Sequence, residues 1–194
     1  QAGFQPGESV RIRDLVYGVI LPSGAECCLA LADQVSGSED GFVEKMNQKA
    51  KSIGMKNTNF KNCTGLHDPE HYSTTYDIAL LLRYALNNDT FRDVITSHFH
   101  STPGTNVHPD GITYYSTMFK NLSDPAVTGG EILGGKTGYT SEAGHCLASF
   151  AGIDEREYIL VTAGAAADAT GILHILDAQT LYNRLGKAIN MQGN

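Results

Sequence analysis

The chain has 194 residues, 41% hydrophobic and 18% charged, which is enough apolar material for a buried core and argues against a disordered polymer. Its 14 Lys and Arg stand against 21 Asp and Glu, a net charge of −7 with no basic stripe, which argues against a nucleic-acid partner. No apolar run approaches the length of a membrane span.

Gln1 to Gly7 is polar and contains Gly and Pro; it shows no charged segment followed by an apolar stretch, so no signal peptide is visible and the compartment stays open. Ile12, Leu15, Val16, Val19 and Ile20 recur at helical spacing, and Pro22 ends that helix before a Ser23-Gly24 turn. A second helix is predicted from about Ala25 to Val35, apolar nearly all round and therefore expected to be buried. Ser38-Glu39-Asp40 signals a third helix carrying Phe42, Val43, Met46, Ala50 and Ile53, stopped by Gly54. Asn57 to Leu66 is turn-rich. Ser73 or Thr74 opens a fourth helix with Ile78, Leu81, Leu82 and Leu86 inward, and Phe91 to Ile95 adds one or two helical turns.

From Ser97 to Thr117 the pattern changes to alternation rich in Thr, His and Tyr, which predicts two short strands. His145 to Ile153 and Glu157 to Ala163 are apolar runs separated by Asp154-Glu155-Arg156, an antiparallel hairpin. A last helix spans about Ile172 to Ile189 with Leu173, Leu176, Leu181 and Leu185 on its apolar side. Helices first, then strands, then a helix indicate an α+β fold with an antiparallel sheet.

Two short motifs could carry chemistry. Lys136-Thr137-Gly138, inside GGKTGYTSEAG, combines a cation, a hydroxyl and a residue that lets a ligand backbone come close, a cradle for an anionic peptide end. Ser23-Gly24-Ala25 places a serine between two helices. Alone, each reads equally as an ordinary turn. His67-Asp68-Pro69-Glu70-His71 fits the letters of an inverted zinc-protease motif, but Pro69 breaks the helix that would bring both histidines to one face. His98 and His100 sit two apart and read as a solvated strand face. Cys27, Cys28, Cys63 and Cys146 show no C-x-x-C spacing and read as free or buried thiols. No metal or other cofactor is expected.

Ser-x-x-Lys, Ser-Asp-Asn and Lys-Thr-Gly are three signatures shared by penicillin-binding proteins and class A β-lactamases. A serine turn followed at a distance by Lys-Thr-Gly and a hairpin has the order of the second and third. On these residues the chain resembles the low-molecular-mass D-alanyl-D-alanine carboxypeptidases, penicillin-binding proteins of the DacA type. PGESVRIRDLVYGVILPSGAE is similar to the family segment around the second motif. The stretch from Gly37 to Leu86 is similar to a long family segment, and ILGGKTGYTSEAGHCLASFA to the third motif and its following strand.

The resemblance implies a β-lactamase/transpeptidase-like fold, an antiparallel sheet flanked by helices plus a helical lobe. Residues 1–194 would then be a partial carboxypeptidase catalytic domain, with the helical lobe at about 10–95 and the sheet-forming part at about 97–194. It implies serine acyl transfer on peptidoglycan stem peptides ending in D-Ala-D-Ala, reaction with β-lactam antibiotics, and an extracytoplasmic place in a bacterial cell envelope. Ser23 would help shuttle a proton, Lys136 would keep the site positive, Thr137 would bind the terminal carboxylate, and Gly138 would keep the strand edge open. The Tyr139 N–H would be one oxyanion donor.

Three departures qualify the match. Ala25 stands where the family has Asn. No serine of the chain has a lysine three residues on; Ser52 and Ser116 have one at four. The first motif would lie upstream of Ala2-Gly3-Phe4, so the chain alone is expected to be inactive. An arginine expected before the last helix has no match in AAADATG. The resemblance also implies that a sheet edge and an apolar face are left for a second chain or a missing N-terminal segment to cover. A class A β-lactamase-like hydrolase and a non-catalytic penicillin-fold binding protein or fragment are the alternatives.

Overall fold

Apolar residues at helical spacing wind the first part of the chain, and alternating ones extend the last. The computed structural model describes residues 1–167 and 170–192. These fall into two compact units, Gln1–Thr117 and Met118–Asn194.

The first unit holds α1 (Ile12–Ile20), α2 (Ala25–Ser36), α3 (Glu39–Ser52), α4 (Thr75–Ala85), α5 (Asp89–Ile95) and the short strands β1 (Phe99–Ser101) and β2 (Thr113–Tyr115). Leu15, Tyr17, Leu21, Cys27, Val94 and Tyr114 form its core together with Ala2. Gly18 lets α1 and α2 meet closely, because a Cβ there would lie 2.5 Å from Cys27 Sγ. Hydroxyl and amide side chains cap three helices: Ser38 accepts from the Gly41 N–H, Thr74 from Asp77 and Asn88 from Phe91. Asp77, fully buried, also accepts from the Asn57 N–H and Thr58 Oγ1, which pins the turn-rich loop to the start of α4.

Helix α2 corrects one expectation. Only Cys27 and Ala32 are buried in it, while Leu29 and Val35 are exposed. Leu29 and Ala30 instead line a groove of about 450 Å³ with Phe4, Val10, Ile12 and Leu15. An apolar helix need not be buried on every side within its own unit.

The second unit holds α6 (Thr117–Asn121), whose first residue belongs to the first unit, then β3 (Ala126–Val127), β4 (Gly130–Thr140), β5 (Gly144–Ile153), β6 (Arg156–Ala165) and α7 (Leu173–Gln192). The sheet is antiparallel throughout, in the order β3-β4-β5-β6. Asp154 and Glu155 join β5 to β6 with φ of 49° and 60°, the left-handed pair that matches strand twist in a two-residue hairpin. Ile175, Ala178 and Tyr182 of α7 pack on Ile132, Leu147, Ala151 and Ile153. Gly186 brings the helix against Thr128, whose N–H and hydroxyl both donate to Asn183.

Of the leucines expected along α7, Leu185 packs against this core, while Leu176 and Leu181 are exposed. Ile175, Ala178, Tyr182 and Gly186 are the narrower stripe, and small residues at 178 and 186 permit the closer approach. Among the described residues, β6 has no strand on its outer side, and β4 has none beside Gly134 to Thr140. No helix of the described residues is long and apolar enough to cross a membrane.

Candidate active site

Ser23 lies in the first unit, in the turn that Pro22 forces at the end of α1. The Gly24 N–H donates to the Gly18 carbonyl at 2.8 Å, folding the chain back over the last turn of the helix. A Cβ at Gly24 would lie 2.9 Å from that carbonyl oxygen and 3.1 Å from the Ala2 nitrogen, so the turn has room only for glycine. Ser23, just before it, adopts φ +60° and its side chain is exposed. A left-handed serine beside a helix start is a strained, presented hydroxyl, of the kind that clusters at functional sites. Ala25 begins α2 and offers no polar atom.

A buried network holds α1, and so the turn. Asp14 accepts from Arg11 at 2.7 and 2.9 Å and bonds His100 at 2.7 Å. Its backbone carbonyl accepts from Tyr114 Oη at 2.6 Å. Burial pushes the Asp14 carboxyl up, but the Arg11 and His100 bonds outweigh it and hold it below its ordinary value. The His100 ring lies parallel to Tyr17 with centroids 3.9 Å apart. His100 therefore faces inward, not onto the solvated strand face expected for it, because β1 spans Phe99 to Ser101 and its middle residue takes the inner side.

The strand β4 of the second unit carries the other expected residues together. Lys136, Thr137, Gly138 and Tyr139 pair in order with Ala148, Leu147, Cys146 and His145 of β5. Lys136 Nζ donates to the Thr137 carbonyl at 2.6 Å. Gly135 is needed for packing: a Cβ there would sit 2.7 Å from Met118 Sδ and 2.8 Å from the Ala148 carbonyl oxygen. Gly138 differs, since a Cβ there would meet nothing within 4 Å. One glycine serves the core and the other leaves space above the strand.

The remaining candidates take structural positions. His67 to His71 is a loop and not a helix: Asp68 accepts from the Glu70 N–H, and His71 accepts from the Lys61 N–H and meets the Phe60 ring edge-on. Burial lowers the His71 pKa. Cys27 is pushed up to about 12 by burial, and Cys63 to about 12 by burial and the Glu39 hydrogen bond, so neither is a ready thiolate. In the segment searched for an arginine, residues 168 and 169 lie outside the described residues. One arrangement the sequence did not announce is a column of rings, Tyr139, His145 and His174, contributed by β4, β5 and α7. Only the fold brings positions 145 and 174 together.

A family model described as D-alanyl-D-alanine carboxypeptidase, peptidase S11, matches residues 2–167. The chain belongs to the D-alanyl-D-alanine carboxypeptidase family. It is 34% identical over 166 residues to the D-alanyl-D-alanine carboxypeptidase DacF of Bacillus subtilis, covering 86% of this chain and 41% of that relative. To DacD of Escherichia coli it is 34% identical over 164 residues, 84% of this chain and 39% of the relative. The chain thus spans about two fifths of the length of these curated relatives. A variant of the Streptomyces K15 DD-transpeptidase superposes with a TM-score of 0.82 at 27% identity, over 95% of this chain and 72% of that one. The arrangement of helices and antiparallel sheet is the penicillin-binding fold of these carboxypeptidases and transpeptidases.

Proposed function

We propose that this chain is part of a serine-type carboxypeptidase that removes the terminal D-alanine from peptidoglycan stem peptides in the bacterial cell envelope. The observation that carries the reading is Lys136-Thr137-Gly138 on the part of β4, Gly134 to Thr140, that has no strand on its outer side among the described residues, within a family match over residues 2–167. An extended peptide can add its backbone to such an edge, while the Thr137 hydroxyl and Lys136 ammonium suit its terminal carboxylate.

In the proposed reaction a serine oxygen attacks the carbonyl carbon of the penultimate D-alanine. The carbon–nitrogen bond breaks, the terminal D-alanine leaves with a proton on its amine, and water then hydrolyses the ester and restores the serine. Ser23 relays a proton in this scheme, Lys136 offsets negative charge, and the Tyr139 N–H donates to the oxyanion. The attacking serine and its lysine come from a Ser-x-x-Lys segment outside these 194 residues, since none of the chain's serines has that spacing. The free outer side of β6 and the groove beside α2 are then the surfaces such a segment, or a second chain, would cover. β-Lactams acylate the same serine. The Streptomyces K15 neighbour is a DD-transpeptidase, and an amine replacing water would turn the same ester to that product.

Labelled penicillin tests the reading. The chain alone should form no stable adduct, and stoichiometric labelling of it would overturn the assignment of the nucleophile. A longer polypeptide that adds an upstream Ser-x-x-Lys should label, and Lys136→Ala within it should acylate at least about a hundredfold more slowly. Unchanged acylation in that variant would overturn the role of Lys136.

A further inference from the structure

Beyond Lys136 the β4–β5 ladder is regular to its end, with Tyr139 opposite His145 and Thr140 opposite Gly144. The β5–β6 ladder is not. His145 lies opposite Ala165 but Leu147 opposite Thr162, a register shift beside Gly164 at φ +76°. At this end β5 is therefore held in register by β4 on one side and irregularly by β6 on the other. Side chains add a second tie across β4, β5 and α7. The Tyr139 ring lies 4.5 Å from His145, tilted by 33°, and His145 lies 5.0 Å from His174 with only 7° between the ring planes. His174 is 3% exposed, and its Nδ1 has no hydrogen-bond partner among the described residues.

A proton on His174 would be badly placed. It would put a cation in a buried site, face to face with a second imidazole, in the first turn of a 20-residue helix whose dipole is positive at that end. The titratable groups that face it are His145 from β5 and, one turn along α7, Asp177; β4 contributes Tyr139 through His145, and β6 places Ala165 opposite His145. Burial first and His145 second hold the His174 imidazole below its ordinary value, against the opposing pull of Asp177.

We propose that His145 and His174 are positioning residues for the Lys-Thr-Gly strand: with His174 neutral, the column Tyr139–His145–His174 fixes the backbone at Gly138 and Tyr139, and a proton on His174 releases it. A depressed folded-state value means the support is complete above the ordinary pKa of 6.5 and is lost as the pH falls through the lower folded value. That the released backbone includes an oxyanion donor rests on the acyl-transfer reading; the column itself does not.

The test is a pH titration of the 194-residue chain by NMR, following the Gly138 and Tyr139 amides and both histidine rings. The two amides should shift with the midpoint of the His174 ring. His174→Phe, which keeps a ring in the column but cannot titrate, should abolish that shift and leave other amides in place. Amides that do not move in the wild type, or that move unchanged in His174→Phe, would overturn the proposal. Should His174→Phe fail to fold, His145→Phe serves: it removes the facing imidazole, so the His174 midpoint, and the amides with it, should move up. An unmoved midpoint, or one no longer shared by the amides, would overturn it equally. No turnover is needed, so failure of the carboxypeptidase reading would show as absent penicillin acylation of the longer polypeptide with this titration intact. Failure of the column would show as acylation with no coupled titration.

Discussion

A serine held at φ +60° gives up about 1 kcal/mol that a glycine would not, and Ser23 is so held. Ser23→Gly should therefore raise the urea midpoint of this chain, by the equivalent of about 1 kcal/mol, while slowing acylation in the longer polypeptide. A lowered midpoint would show that the contacts of the hydroxyl outweigh the strain. The two glycines around Lys136 make an opposite pair. Gly135→Ala drives a methyl into Met118 and the Ala148 carbonyl, and should cost about 2–3 kcal/mol in the same denaturation experiment. Gly138→Ala meets nothing within 4 Å and should change stability by no more than about 0.5 kcal/mol. If it still weakens penicillin acylation of the longer polypeptide, the lost space is space a ligand uses. The tripeptide at 136–138 was legible in the sequence because its chemistry is local. The different reasons for Gly135 and Gly138 were not, because they depend on what stands opposite.

At the scale of elements, α1 depends on one carboxylate. Asp14 joins Arg11, the residue just before its own helix, to His100 on β1, and its carbonyl anchors Tyr114 on β2. Asp14→Ala should destabilise the chain by about 3 kcal/mol, measured by denaturant unfolding, because His100 and Arg11 lose the buried carboxylate they share, while the carbonyl that holds Tyr114 stays. The acid side follows from the same bonds. The folded carboxyl sits below its ordinary 3.8, so its stabilisation is full above that pH and disappears as pH falls through the lower folded value. The variant should lack that part of the acid slope. Periodicity located α1 to α5 and the β5–β6 hairpin, since burial of one face writes itself into spacing. It misjudged how far α2 is covered, because Leu29 and Val35 are as apolar as the buried residues beside them, and along α7 it could not separate Leu185, which packs on the core, from the exposed Leu176 and Leu181. It passed over α6 and β3, of five and two residues, too short to show a period.

For the whole molecule, a sheet of four strands ends in β6 with a free outer side among the described residues. Outward-pointing β6 amides should exchange with deuterium quickly in this chain, and should become protected in the longer polypeptide if an added strand lies there. Rapid exchange in both would exclude that strand. The family could be read from the order of separated motifs, and the match over residues 2–167 agrees. The ring column could not, because it joins positions far apart in sequence through a fold. The hairpin at Asp154-Glu155 has a practical use. It begins nine residues on from His145, the partner of Tyr139, roughly 30 Å at 3.3 Å per residue. A reporter peptide spliced into that tip would extend away from the Lys-Thr-Gly end of the sheet, giving a handle for tethering or imaging that leaves that end untouched.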